Sequence, residues 1–332
     1  MKRLSSEFVF ALTNPGSEKA LKLEVVMANP QWRLSYQRRG FVTFKSDCLI
    51  EMEGLDLPLA FARRLCLSLG KSATREDAVA RIREVAGDSL KVHHARYHER
   101  RMQGLPAADP ARHPEIGEWI GTVVELGDQE FWSGVHRHAP FLSPDPAGDS
   151  GIVMPDESPS RAWLKLEEAV RFFGLAFSSS DLVAEVGCAP GGVVLALLNR
   201  GVSVIGVDPA RMADEVTAFG IGQREDAAVR SPWFYHCRKP AALVSKRDLG
   251  QGVTWFMSDM NQSPEVVLKE CARFCKMSPS IRGVLITLKL TDLLQIGEKA
   301  RWFLALEGMG FTTVRAQQLS VHHKEVALLG LR

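Results

Sequence analysis

Four polar residues occur in a fixed order in the C-terminal half of the chain: Lys165, Asp259, Lys289 and Glu325. Their types suit a proton-transfer site. A lysine that takes a proton must be held as the free amine. A second ammonium nearby favours that form, whereas carboxylates oppose it while hydrogen-bonding and aiming the amines. Between the first two lies a glycine-rich segment, Gly187, Cys188, Ala189, Pro190, Gly191 and Gly192, preceded by Glu185 and followed twenty-three positions after Glu185 by Asp208. Glycines there free the backbone for close approach of a ligand, and a carboxylate at that spacing suits the two hydroxyls of a ribose. The spacing also fits a dinucleotide site, but the G-x-G-x-x-G pattern is absent and Pro190 stiffens the loop. The chemistry indicated is a nucleoside cofactor beside a lysine-centred base.

Each residue alone has a plain structural reading. Lys165 is a lysine lying along an apolar helix face, Asp259 a helix cap, Lys289 a solvent-facing strand end, and Glu325 an edge-strand charge. The order of elements is what raises them above that. From residue 160 onward strands and helices alternate, the pattern of a mostly parallel sheet. Strands are expected at 182–186, 202–207, 233–236, 253–258, 284–289, 313–319 and 325–331. Helices are expected at 160–173, with Ser158 as N-cap and Pro159 at the first helical position, and at 193–199, 264–276 and 293–306. The last two strands leave no room for a helix between them, so one of them should run antiparallel. Asp259 and Lys289 then fall at carboxyl ends of strands, where such sheets bind ligands.

The N-terminal half reads as α+β. Strands are expected at 8–12, 41–44, 121–126 and 131–135, with helices at 17–27, 57–69 and 75–86, the last capped by Thr74. Residues 140–159 are rich in Pro, Asp, Ser and Gly and read as a linker, giving domains 1–145 and 146–332. Composition is that of an ordinary globular protein, with 45% hydrophobic and 24% charged residues, and the net charge of +2 does not advertise a polyanionic partner. Its distribution says more: the first fifty residues hold eight Lys/Arg against four Asp/Glu. Arg38, Arg39, Arg96, Arg100 and Arg101 form the candidate phosphate-contacting set. Six scattered cysteines, with no signal-peptide pattern and no membrane-length apolar stretch, point to a reduced, cytoplasmic setting. Cys271 and Cys275 lie one helical turn apart without further ligands, so they read as structural and no metal site is expected.

The order Lys165, Asp259, Lys289, Glu325, with Ala-Pro-Gly-Gly after the first strand, resembles the FtsJ class of RNA ribose 2′-O-methyltransferases, and within it the large-subunit methyltransferase M group. Residues 158–169, 187–192, 207–209, 258–260, 288–290 and 323–326 are similar to successive blocks of that family. The resemblance covers about 150 to 332 and is weak before that. It implies a Rossmann-like S-adenosylmethionine-dependent sheet, an N-terminal THUMP-like RNA-binding region, and RNA, rRNA foremost, as substrate. It assigns Lys289 as general base, with Lys165, Asp259 and Glu325 around it, and the cofactor to Gly187–Gly192, Asp208 and Asp259. Departures are Glu185 in place of Asp and Val193 in place of Trp. No acid to contact adenine is evident at the third strand, where Asp226 precedes it and Arg238 and Lys239 end it. The alternatives are a methyltransferase acting on another RNA, on a base nitrogen or on a small molecule, or a non-catalytic RNA-binding assembly protein that retains the cofactor.

Overall fold

The computed structural model describes residues 4–87, 89–99, 101–105, 113–222 and 231–332. Arg100 and Asp226, both singled out in the sequence, lie outside the described residues. The chain divides into two units: residues 1–151 together with 317–323, and residues 152–316 together with 324–332. The division thus falls at 151/152, and seven residues near the C-terminus belong to the first unit.

Unit 1 is built from β1 (Ser5–Leu12), α1 (Glu18–Ala28), β2 (Arg33–Arg38), β3 (Phe41–Glu51), β4 (Arg64–Ser72), α2 (Arg75–Ala86), β5 (Lys91–His98), β6 (Arg101–Leu105), β7 (Trp119–Gly127) and β8 (Glu130–Arg137). Its eight strands form one sheet in the order β2-β3-β1-β4-β8-β7-β5-β6. β5 and β7 pair in parallel. Phe10, Leu12, Phe41, Cys66, Ala95, Met102 and Val124 make a common core. α2 is capped as expected, Thr74 accepting from the Asp77 amide at 3.1 Å.

The helix expected at 57–69 is not there; residues 64–72 are strand β4 instead. β4 lies between β1 and β8 and is buried on both faces, so its apolar run carries no alternation to separate strand from helix. β2 and β5 were not expected. β2 is a polar edge strand, exposed almost throughout. β5 puts a polar residue, His93, at a buried position, which disguised its inward face.

That histidine belongs to a nest around Arg64, which is fully buried. The guanidinium donates to Ser143 O at 2.8 Å and to Asp145 O, with His136 Nε2 at 3.1 Å and His93 Nδ1 at 3.4 Å. A guanidinium has only donors, so His136 must accept through Nε2 and carry its proton on Nδ1, which faces Cys66 Sγ at 3.6 Å. Burial and then the Arg64 charge hold His93 down at about 2 and His138 at about 4, against an ordinary 6.5, and the same two causes hold His136 well below it. Burial also lowers Arg64 to about 10 and raises the Cys66 thiol to about 12. A depressed histidine favours the fold fully above its unfolded value and progressively less as pH falls beneath it. We therefore expect unit 1 to lose about 1 kcal/mol or more per histidine for each pH unit below 6.5. Chemical denaturation at pH 7.5 and 5.5 measures this, and in His93→Gln the loss should shrink. A flat profile between these pH values would rule it out.

Unit 2 contains α3 (Ala162–Phe173), β9 (Leu182–Val186), α4 (Gly192–Asn199), β10 (Ser203–Val207), α5 (Asp214–Thr217), β11 (Phe234–Cys237), α6 (Lys246–Leu249), β12 (Trp255–Ser258), α7 (Pro264–Met277), β13 (Gly283–Lys289), α8 (Lys299–Glu307), β14 (Thr313–Gln317, its last residue counted with unit 1) and β15 (Glu325–Leu331). The sheet order is β11-β10-β9-β12-β13-β15-β14. β9 to β13 are parallel, and β15 runs antiparallel to β13. β9 and β10 are buried at every position, as central parallel strands covered on both faces must be. On α7 the buried face is Val267, Leu268, Cys271, Phe274 and Cys275, which places both cysteines in the core. The stretch expected as one helix at 293–306 begins as a 3-10 turn, Leu293–Glu298, before α8.

α3 starts two residues later than expected. Ser158 does not cap it; its hydroxyl donates to Ser160 O at 3.0 Å, forming a turn. The cause is packing against the glycine turn. A Cβ at Gly192 would lie 2.4 Å from Ser160 Oγ and 2.8 Å from the Trp163 amide nitrogen, so the chain before α3 is pressed onto the head of α4.

Candidate functional site

The strand order of unit 2 reverses at β9. β10 and β11 lie to one side and β12, β13 and β15 to the other, and the crevice beyond the carboxyl ends of β9 and β12 is where such sheets bind ligands. The glycine turn begins there. Gly187 (φ 79°) and Gly191 (φ 118°) both take the left-handed backbone that a side chain would strain. The Gly187 amide donates to Val207 O at 2.9 Å, tying the turn to β10. Cys188 is buried, with Sγ 3.7 Å from Met212 Sδ, so its side chain is committed to packing and its place in the turn is a backbone one. Burial pushes its thiol well above the usual range.

Asp208 follows β10. Its carboxylate accepts from the Ala189 amide at 3.1 Å and the Ala210 amide at 2.8 Å, one bond to each oxygen. Each oxygen keeps a second lone pair. The acid therefore shapes the turn and still has acceptor capacity toward the crevice. At the end of β11, His236 Nε2 lies 2.9 Å from Asp208 O, and Arg238 donates to Pro209 O at 3.2 Å. Lys239 is paired with Asp248 at 2.7 Å.

The four residues Lys165, Asp259, Lys289 and Glu325 are brought together at the same end of the sheet. Asp259 follows β12, and its amide donates to Val186 O at 3.2 Å rather than capping a helix. Lys289 closes β13 and lies in register opposite Glu325, the first residue of antiparallel β15. Lys165 reaches in from α3. Its Nζ lies 3.1 Å from both Asp259 carboxylate oxygens and 3.0 Å from Glu325 Oε1. Lys289 Nζ donates to the Asp259 backbone carbonyl at 3.1 Å and lies 3.5 Å from Asp259 Oδ1. All four are partly buried, and Lys289 is the most open, its side chain 26% exposed against 18% for Lys165. A reacting group entering from solvent would meet Lys289 before Lys165.

Two further residues stand at the turn, Glu185, which the sequence marked only as the acid before the glycines, and Ser160, which it did not single out as a site residue. Glu185 is buried in β9, and its Oε2 has no hydrogen-bond partner among the described residues. Burial pushes its carboxyl well above the usual range, and the charges of Asp259 and Asp208 push the same way. It is the lone acid inside the apolar strand 182–186. Ser160 Oγ, pressed against Gly192, is likewise buried and unpartnered; nothing in its sequence context marked it. Unpaired buried oxygens are costly, so a pair of them beside one turn argues for a polar ligand that completes them.

The arginines of unit 1 divide. Arg38 is engaged by Tyr36 Oη at 2.7 Å and Glu130 at 3.4 Å, and Arg96 by Glu125 at 2.8 Å. Arg39 and Arg101 are exposed. Among the described residues no group of His, Cys, Asp or Glu is arranged to hold a metal ion, and no helix is long and apolar enough to cross a membrane.

Residues 159–290 match the family described as FtsJ-like methyltransferase. Among curated proteins, the chain is 28% identical over 199 residues to Ribosomal RNA large subunit methyltransferase M of Xanthomonas campestris pv. campestris, covering 57% of this chain and 52% of that protein. It is 30% identical over 181 residues to the protein of the same name in Teredinibacter turnerae, covering 52% and 46%. The chain thus spans about half the length of the curated relatives it matches. Among solved structures, TrmN from Thermus thermophilus aligns over 98% of this chain and 99% of that one at 16% identity, with a TM-score of 0.33, too low to support any argument.

Proposed function

From a chain whose residues 159–290 are an FtsJ-like methyltransferase domain, we propose S-adenosylmethionine-dependent 2′-O-methylation of RNA, with rRNA as the substrate class. The observation that supports this most is the meeting of Lys165, Asp259, Lys289 and Glu325 beside the glycine turn. The name shared by the relatives supports rRNA.

The residues at the turn fit the cofactor. The Gly187–Gly192 backbone permits close approach, Asp208 has lone pairs left for ribose hydroxyls, and Glu185 and Ser160 offer oxygens without partners of their own. Of these, the carboxylate suits an ammonium. S-adenosylmethionine, when bound, supplies a methyl carbon on a sulfonium, reactive toward an oxygen held in line with it.

Lys289 is the base in this reading. As the free amine it accepts the proton that the ribose 2′-hydroxyl loses. Lys165 is bonded to both carboxylates, which leaves Lys289 the less committed of the two amines. The Asp259 backbone carbonyl accepts from Lys289 whatever its charge, and fixes where Nζ points.

Unit 1, as a THUMP-like region, would supply most of the RNA affinity. Of its candidate arginines, Arg39 and Arg101 carry no paired carboxylate in the described structure, so they are the ones to test. We expect Arg39→Glu with Arg101→Glu to weaken RNA binding and lower the slope of log K against log salt by about 2. An unchanged slope would move the RNA path elsewhere, toward Lys246.

The reading as a whole is tested with the purified full chain, methyl-labelled S-adenosylmethionine and bulk RNA, followed by ribose-methylation mapping. Label on a ribose 2′-oxygen is the expected result. Label on a base, or label on protein only, would overturn it.

A further inference from the structure

We propose that Glu185 is held as a neutral acid in the free protein and gives its proton to solvent when a ligand ammonium enters beside it. The residue thereby selects ligands that carry an amino-acid end over bare nucleosides. The inference rests on reading the glycine turn as the S-adenosylmethionine site, and every residue in it belongs to unit 2.

The strand register gathers three carboxylates. Glu185 of β9 lies level with Gly206 of β10 and with Met257 of β12. The ladder continues past the strand ends. The Gly187 amide donates to Val207 O at 2.9 Å, and the Asp259 amide to Val186 O at 3.2 Å. Asp208 and Asp259 thus each stand two positions beyond a strand partner of Glu185. Side chains two positions apart share a face of a sheet, so the three acids belong to one face. Two of them have donors. Asp208 accepts from the Ala189 and Ala210 amides, and Asp259 from Lys165. Glu185 is 2% exposed, and its Oε2 is buried without a partner among the described residues.

The groups around it bring no cation into contact. A Cβ at Gly206 would lie 2.8 Å from Cys188 Sγ, so a buried thiol covers the face that Glu185 shares. α4 carries no ionisable side chain over Gly192–Asn199. Lys165 and Lys289 are bonded to Asp259, and His236 to the Asp208 backbone carbonyl. A buried carboxylate with no donor and two acids beside it is destabilised as an anion and not as an acid. Burial pushes its carboxyl well above the usual range, and the charges of Asp259 and Asp208 add to this. A ligand ammonium supplies both the cation and the donor, which reverses the balance. The O–H bond of Glu185 then breaks, its electrons stay on the carboxylate, and the proton leaves to solvent. A purely structural acid is tied within the fold. Asp181, at the other end of β9, is such a case, with Arg282 at 2.9 Å from both oxygens and Thr254 at 2.8 Å.

The test is calorimetry on the full chain with S-adenosylhomocysteine. This ligand has the ammonium but no sulfonium, so no new charge arrives beside Lys289. At pH 6.5 its α-amino group, ordinarily about 7.7–8.0, arrives protonated. Titrations in PIPES and in bis-Tris differ in heat by the protons released, and about one per site is expected. Affinity should rise about tenfold from pH 5.5 to 6.5, the sign for a proton lost on binding. 5′-Methylthioadenosine, which lacks the amino-acid end, should bind with no proton released. Glu185→Gln keeps the size and the neutral state. It should weaken S-adenosylhomocysteine about tenfold or more at pH 6.5, hold methylthioadenosine within about twofold, and abolish the proton release. The wild-type proton count decides the matter even should Glu185→Gln not fold. Binding without proton release, or release that persists in Glu185→Gln, overturns the proposal. If the wild type binds neither S-adenosylhomocysteine nor S-adenosylmethionine, the cofactor reading itself fails and the proposal falls with it.

Discussion

Lys289→Ala should reduce methyl transfer to RNA about a thousandfold, the scale of a lost general base, and leave S-adenosylmethionine affinity within about twofold. Among the four clustered residues Lys289 is the one whose amine is least committed. Lys165 is held by three carboxylate oxygens at 3.0–3.1 Å, whereas Lys289 makes one short bond, to a backbone carbonyl, and has the more exposed side chain. Removing it leaves no other amine positioned to take the proton, because Lys165 would have to leave Asp259 and Glu325. The turn is untouched, so binding should survive. Lys289→Arg is the sharper control. It keeps the charge but cannot become a free amine, and it should be as inactive as alanine. Single-turnover rates measured beside calorimetric Kd values decide the matter. A Lys289→Arg enzyme with near wild-type turnover would remove the lysine-base mechanism.

Asp208→Ala should weaken S-adenosylmethionine binding about a hundredfold or more. Two charge-assisted hydrogen bonds to ribose hydroxyls, at about 1.5–3 kcal/mol each, exceed that factor together. The structure adds a second reason. The same carboxylate holds the Ala189 and Ala210 amides, so alanine also releases the turn. Asp208→Asn separates the two contributions. Its amide can replace one oxygen but sets an N–H against the other backbone donor, so it should fall between wild type and alanine in affinity. Calorimetry on the three proteins, with thermal unfolding to show that unit 2 remains folded, is the measurement. Equal affinities would take Asp208 out of the site.

How much of this was legible in the sequence follows from which interactions are local. A strand inside the sheet and covered on both faces needs an unbroken apolar run, so β9 and antiparallel β15 appear within their observed limits and β10, β12 and β13 within two residues. A strand-to-helix turn that brings backbone near a ligand needs glycine, which exposed Gly187–Gly192. Where two local rules compete, the sequence misleads. β4 is apolar on both faces and read as helix, and polar β2 and histidine-bearing β5 carried no strand signal. The N-cap expected at Ser158 gave way because Gly192 draws Ser160 and Trp163 against the head of α4.

By itself, then, the sequence determined the alternating frame of unit 2, its glycine turn, and the types of the four residues near it, because each is set by neighbours a few positions away. Only the tertiary structure decided that Lys289 faces Glu325 across an antiparallel pair, that Lys165 spans both carboxylates, that Glu185 and Ser160 leave unpaired oxygens at the turn, and that residues 317–323 fold with the N-terminal unit. The physical reason is that strand register, burial and buried hydrogen bonds join residues far apart in the chain, 160 positions for Lys165 and Glu325 and 305 for Asn14 and Leu319. No local preference encodes such a pairing.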